Sequence, residues 1–151
     1  MKVLADTNVL ARLLNPADPT QPIVLAALAQ LDQAGHEVCL VPQVLYELWV
    51  VCTRPEPENG MGFTPAEAHA AIQRATEFFR LLRDERGVFD RWSSLVVETS
   101  VCGKAAHDAR LAAAMQRHGV SHLLTFNVRH FSRFAELTVW APGEVAAWNG
   151  T

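Results

Sequence analysis

Lys2-Val3-Leu4-Ala5 is a short apolar run that stops at Asp6-Thr7-Asn8, where capping side chains lead into Val9-Leu10-Ala11-Arg12-Leu13-Leu14. The pattern predicts a strand, a cap and a helix. Asn15-Pro16-Ala17-Asp18-Pro19 breaks the chain, and Ile23, Ala27, Leu28 and Leu31 then recur at helical intervals over Ile23 to Ala34, closed by Gly35. Glu37 to Val41 reads as a second strand. Pro42 suits the first turn of a helix that carries Val44 to Cys52, and Arg54-Pro55-Glu56-Pro57-Glu58-Asn59-Gly60 ends it in a surface loop. Thr64-Pro65-Ala66-Glu67 has capping-box spacing, with Ala68, Ile72, Ala75 and Phe79 continuing the helix. Gly87 to Asp90 is predicted as a short strand, and Trp92 to Val101 and Lys104 to His118 as helices, with Gly119 as a stop. Ser121 to Phe126 and Leu137 to Ala141 read as the last strands. Short apolar strands alternating with helices predict an α/β fold of three layers, whose mostly parallel sheet of about four or five strands is covered on both faces. Without a repeat or a second apolar core, residues 1–151 are expected to form a single domain.

Half of the 151 residues are apolar, and a domain of this size can bury roughly two thirds of its unfolded surface. Cys39, Cys52 and Cys102 lie far apart in apolar runs and are read as reduced core thiols. Asp6 arrives before any signal-peptide apolar region can form, and no stretch reaches the ~18 apolar residues of a membrane span. A cytoplasmic address with no membrane contact is the expectation. The net charge of −3 excludes binding a polyanion by bulk attraction, so such a ligand must be met locally. Metal ions held by part of the acidic surplus meet that need.

Three carboxylates stand where the pattern asks for something else. Asp6 closes the first strand, where ligands of parallel sheets bind, although it reads equally as a helix cap. Glu47 is the only charge in Val44-Leu45-Tyr46-Glu47-Leu48-Trp49-Val50-Val51-Cys52. If buried, it must be protonated, paired from a distant segment or bound to a cation; otherwise it occupies a narrow exposed strip. Asp108 shares a helical stripe with Leu111, Ala112 and Met115, and is also an ordinary dipole-favoured first-turn residue. Converging carboxylates repel one another unless a cation sits between them, and a set of oxygen donors without matched cysteine or histidine spacing suits Mg²⁺ or Mn²⁺ rather than zinc.

Asp6-Thr7-Asn8-Val9-Leu10, Tyr46-Glu47-Leu48, His107-Asp108-Ala109-Arg110-Leu111-Ala112-Ala113 and Leu124-Thr125-Phe126-Asn127-Val128-Arg129-His130-Phe131 together resemble a PIN domain, most closely the VapC-type toxins of toxin–antitoxin pairs. In order and spacing these blocks cover nearly the whole chain. The resemblance implies a Mg²⁺- or Mn²⁺-dependent endoribonuclease that cuts RNA and leaves a 5′-phosphate. It places Asp6, Glu47 and Asp108 around the metal, with Thr7 and Asn8 nearby and Asn127 completing the catalytic set. It also implies a homodimer and an antitoxin partner seated in the active-site groove. Such toxins commonly carry another acidic residue in the last block, where this chain has Asn127 and His130. The alternative is therefore a degenerate PIN module that binds RNA or protein without cutting.

Other groupings are weaker. His107-Asp108 resembles a histidine–aspartate phosphohydrolase dyad, but His69, His118 and His122 supply no matching set. Arg80, Arg83, Arg86 and Arg91 read as a phosphate-tracking edge or as a solvated helix face balanced by Asp84 and Glu85. Trp49 is expected in the core, and Trp148 near the chain end as an interface residue.

Overall fold

The computed structural model describes residues 1–148, so the last three positions of the expected domain lie outside the described residues. Strand β1 (Lys2–Ala5) is followed by α1 (Thr7–Leu13) and α2 (Gln21–Gln33), then β2 (Glu37–Leu40), α3 (Pro42–Thr53), α4 (Pro65–Phe78) and β3 (Arg80–Leu81). Helices α5 (Gly87–Glu98) and α6 (Ala105–Arg117) lead to β4 (His122–Leu124), β5 (Thr138–Trp140) and α7 (Pro142–Ala146). The five strands form one parallel sheet in the order β3-β2-β1-β4-β5, flanked by helices.

β1 lies at the centre, with Leu4 opposite Cys39 on one side and Leu123 on the other. Val3, Leu4 and Ala5 are all fully buried, which explains why this strand is uniformly apolar rather than alternating: helices cover both of its faces. Chain progression runs outward from β1 through β2 to β3 and, in the opposite direction, through β4 to β5. The sheet therefore reverses its order between β1 and β4, and the crevice at their carboxyl ends is where parallel sheets bind ligands.

Most predicted elements are present within a residue or two, including the Thr64–Glu67 capping box, in which each side chain receives the other's backbone N–H. The strand predicted at Gly87–Asp90 is not. Those residues open α5, in which Val88 and Leu95 are buried one heptad apart with Trp92 between them, its indole N–H donating to the Ala106 carbonyl at 2.9 Å. Gly87, expected to open that strand, is instead the first helical residue. The third strand is instead the two-residue β3, too short to leave a periodic signal. α5 also ends at Glu98 rather than Val101, because Ser100 takes a left-handed backbone with φ 52°.

Two further expectations need correction. Cys39 and Cys52 are buried, but Cys102 is exposed in the turn between α5 and α6, so it is not a core thiol. Asp84 and Glu85 do not balance Arg83 and Arg86 along a helix; they reach across to Arg110 and Arg117 of α6, while Arg80 pairs with Glu37 and Arg91 with Glu98. Trp49 packs against the core as expected. Trp148 stacks edge-on against Trp140 at 4.9 Å, within a cluster that includes His36 and His122.

Candidate active site

Asp6 leaves the end of β1 as the N-cap of α1, with its Oδ1 accepting from the Thr7 backbone N–H at 2.8 Å. Its own N–H donates to the Leu124 carbonyl, which locks the end of β1 to β4. From the end of β4, the fully buried Thr125 donates its hydroxyl to Asp6 Oδ2 at 2.8 Å. That hydroxyl also accepts from Asn8 Nδ2 and the Asn127 backbone N–H, both at 3.0 Å, so its one donor and two acceptor positions are filled. Asn8 completes the clasp by accepting the Phe126 N–H through Oδ1 and donating to Asp6 Oδ2. Burial pushes the Asp6 carboxyl above its ordinary pKa; Thr125 and Thr7 pull it down, and the charges of Glu47 and Asp108 push it up.

Glu47 comes from α3, half-buried, with Oε2 accepting from the Thr7 hydroxyl and Oε1 from Gln43 Nε2, both at 3.1 Å. Its neighbours are neutral donors, and it has no cationic partner within ion-pair distance among the described residues. Gln43 lies one helical turn earlier and is buried. It also donates to the His107 carbonyl at 2.9 Å and accepts from Arg110 Nη1 at 3.0 Å, tying α3 to α6.

Asp108 stands in the first turn of α6 with its side chain 29% exposed. Its pKa is also raised, mainly by burial and further by Glu47, against the opposing pull of His130, whose Nδ1 lies 3.9 Å from Oδ2. Asn127 is exposed just past β4. Asp6, Glu47, Asp108 and Asn127 thus line one groove of about 740 Å³ at the reversal point of the sheet.

The expected catalytic set of Asp6, Glu47, Asp108 and Asn127 lines this groove together with Thr7 and Asn8, whereas His130 is not among its lining residues. Thr125 and Gln43 were missed. Both left a trace: Thr125 is a polar residue ending β4 as Asp6 ends β1, and Gln43 precedes Glu47 by four on the same helix.

The donor set is a test of the expected metal. Among the described residues, no three acidic, histidine or cysteine side chains form a close metal-ligand group, so a closed cage of protein ligands is absent. Mg²⁺ is usually held by one or two carboxylates while keeping several waters, and two mutually repelling carboxylates in an open groove suit that mode. The residues fit such an ion.

The PIN-domain family model matches residues 3–137. This chain belongs to the PIN-domain family. PIN domains are generally nucleases. No curated protein matches the sequence. Among solved structures, this PIN domain is similar to VapBC2 from Rickettsia felis bound to a DNA fragment from its promoter, with TM-score 0.71, 14% identity, and 99% of this chain and 100% of that one covered. It is also similar to FitAcB from Neisseria gonorrhoeae, with TM-score 0.65, 21% identity and coverages of 93% and 97%. A third likeness is to Mycobacterium tuberculosis VapC20, a sarcin-ricin loop cleaving toxin, with TM-score 0.61, 18% identity and coverages of 88% and 93%. These likenesses bear on the fold. Among the described residues, no helix is long and apolar enough to cross a membrane.

Proposed function

We propose that this PIN domain is a Mg²⁺- or Mn²⁺-dependent endoribonuclease that hydrolyses RNA phosphodiester bonds as the toxin of a toxin–antitoxin pair. The observation that carries this reading is the meeting of Asp6, Glu47 and Asp108, drawn from three separate segments, in one groove at the switch point of the sheet.

Asp6 and Asp108 would hold the ion, with Glu47 as a further ligand or as the base orienting the attacking water. A divalent ion bound there supplies positive charge for the phosphate and a water of lowered pKa. Thr125, Thr7 and Asn8 fix the Asp6 carboxylate in place, so little reorganisation is left for the reaction itself. Gln43 does the same for Glu47. Asn127 offers a carbonyl oxygen and an amide to the substrate without adding negative charge. The resemblance to toxin–antitoxin assemblies supports a cytoplasmic homodimer whose antitoxin covers the groove.

A second reading rests on Asn127 and His130: with no acidic side chain at either place, the module binds RNA or protein without cutting. Cleavage of a structured RNA with Mg²⁺, Mn²⁺ or EDTA, beside Asp6→Asn and Asp108→Asn, separates the two. Metal-dependent cutting lost in both variants supports the nuclease. A folded, partner-free protein that does not cut, and that Mg²⁺ does not stabilise against heat, supports the binding module.

A further inference from the structure

The groove does not end at the carboxylates. Arg12 lies on α1 six residues beyond Asp6, and Arg54 caps α3 seven residues beyond Glu47, and both line the same groove. At about 1.5 Å of rise per residue, the Arg12 and Arg54 backbones stand about 9 Å and about 10.5 Å beyond those of Asp6 and Glu47. α1 and α3 pack side by side, and both arginines border the same groove.

Both are held in advance of any ligand. The Arg12 guanidinium lies 3.7 Å over the Phe126 ring and donates to the Thr20 hydroxyl at 3.4 Å. Asp18, also in the groove, turns its carboxylate into its own loop, accepting from the backbone and hydroxyl of Thr20. Arg54 is gripped through its backbone, donating to the Val50 carbonyl and accepting from the Gly62 N–H. Gly60 lies so close to the Arg54 carbonyl that an added methyl group would overlap its oxygen. The Arg54 Nε–H is enclosed and has no acceptor, and a buried donor left unmet costs about 1–3 kcal/mol. Neither guanidinium has a carboxylate within ion-pair distance among the described residues, although Arg12 is near enough to Asp18 to help lower its pKa.

We propose that Arg12 and Arg54 form a subsite for the backbone phosphate of a nucleotide flanking the cleaved bond, so that the groove takes an extended single-stranded RNA held by its backbone. The guanidinium fork matches phosphate oxygens, and a second anion there meets the local need that a chain of net charge −3 creates. The assignment rests on the nuclease reading of the carboxylates.

The test is binding of a fluorescently labelled single-stranded oligoribonucleotide to the Asp6→Asn protein in Mg²⁺, across a salt series, with Arg12→Gln or Arg54→Gln added. Each is expected to weaken binding about tenfold, as the loss of one charged hydrogen bond does. Each should also flatten the slope of log affinity against log salt by about 0.7. Arg12→Lys and Arg54→Lys restore the slope, which a purely structural role would not. In the cutting protein, KM for RNA rises while kcat changes little. Unchanged affinity and slope in both glutamine variants, with melting temperatures as in the parent, overturn the subsite and leave the nuclease intact. Arginine-dependent binding by a wild-type protein that never cuts leaves the subsite standing and removes the nuclease.

Discussion

Thr125→Val removes a hydroxyl from a fully buried position while keeping its shape. The hydroxyl donates to the Asp6 carboxylate, a charge-assisted bond that contributes about 1.5–3 kcal/mol, and accepts two N–H groups at about 0.5–1.5 kcal/mol each. Asn8 keeps its contact to Asp6 Oδ2 and Asn127 is exposed to water, so only part of the second contribution is lost. The expected destabilisation is about 2–4 kcal/mol, or roughly 5–15 °C in melting temperature for a domain of this size. Urea unfolding in EDTA near neutral pH measures it. Thr125→Ser, which keeps the hydroxyl and gives up one methyl, should stay within about 1.5 kcal/mol of wild type. The gap between wild type and Thr125→Val narrows in acid, because protonating Asp6 removes the charge that the hydroxyl was solvating. A valine variant as stable as wild type at neutral pH would show that Asp6 is not held as a buried carboxylate, and the account of the site would fail with it.

Without metal, Asp6 and Asp108 both have folded pKa values above their unfolded ones. The folded state then keeps protons that the unfolded state releases, so these two groups make stability fall as pH rises from about 4 through the folded values, against the opposite trend of Asp18 and Glu85, whose pKa values are lowered, and Asp6→Asn should shrink that fall; a urea midpoint with the same pH dependence in Asp6→Asn as in wild type contradicts the shifts. Gly60→Ala should lower stability by about 1–3 kcal/mol, since the added methyl meets the Arg54 backbone rather than a movable side chain; thermal melting reads this directly. Native alkylation followed by mass spectrometry should label Cys102 alone, because Cys39 and Cys52 are buried and the Cys39 thiol is pushed up to about 11. Rapid labelling at three positions before unfolding would contradict that burial.

What the sequence disclosed divides along the range of the interactions involved. β1, α4 and α6 were legible because their signals are local: an uninterrupted apolar run, a capping box and an apolar stripe ended by glycine. β3 was not, because its two residues are recruited by the edge of β2 rather than by a pattern of their own. Asp6 and Glu47 stood out as charges against an apolar background. Thr125 and Gln43 did not, since a threonine or glutamine is unremarkable until its partners are known, and those partners lie in distant segments. Arg12 and Arg54 escaped notice for the same reason: their lack of counter-ions is a property of the folded surface.

The clasp between Asp6 and Thr125 joins positions 119 residues apart. On the ribosome Asp6 is made 119 residues before Thr125, so the strand that seats it, β4, follows only seconds later at about 5–20 residues per second. Until then β1 has its β2 neighbour but not the other, and Asp6 has no fixed orientation. Pairing at such long range also favours slow closure of the sheet over early local collapse. The nascent chain therefore carries the ingredients of its site for seconds before they are assembled, and a truncation that removes β4 would disarm Asp6.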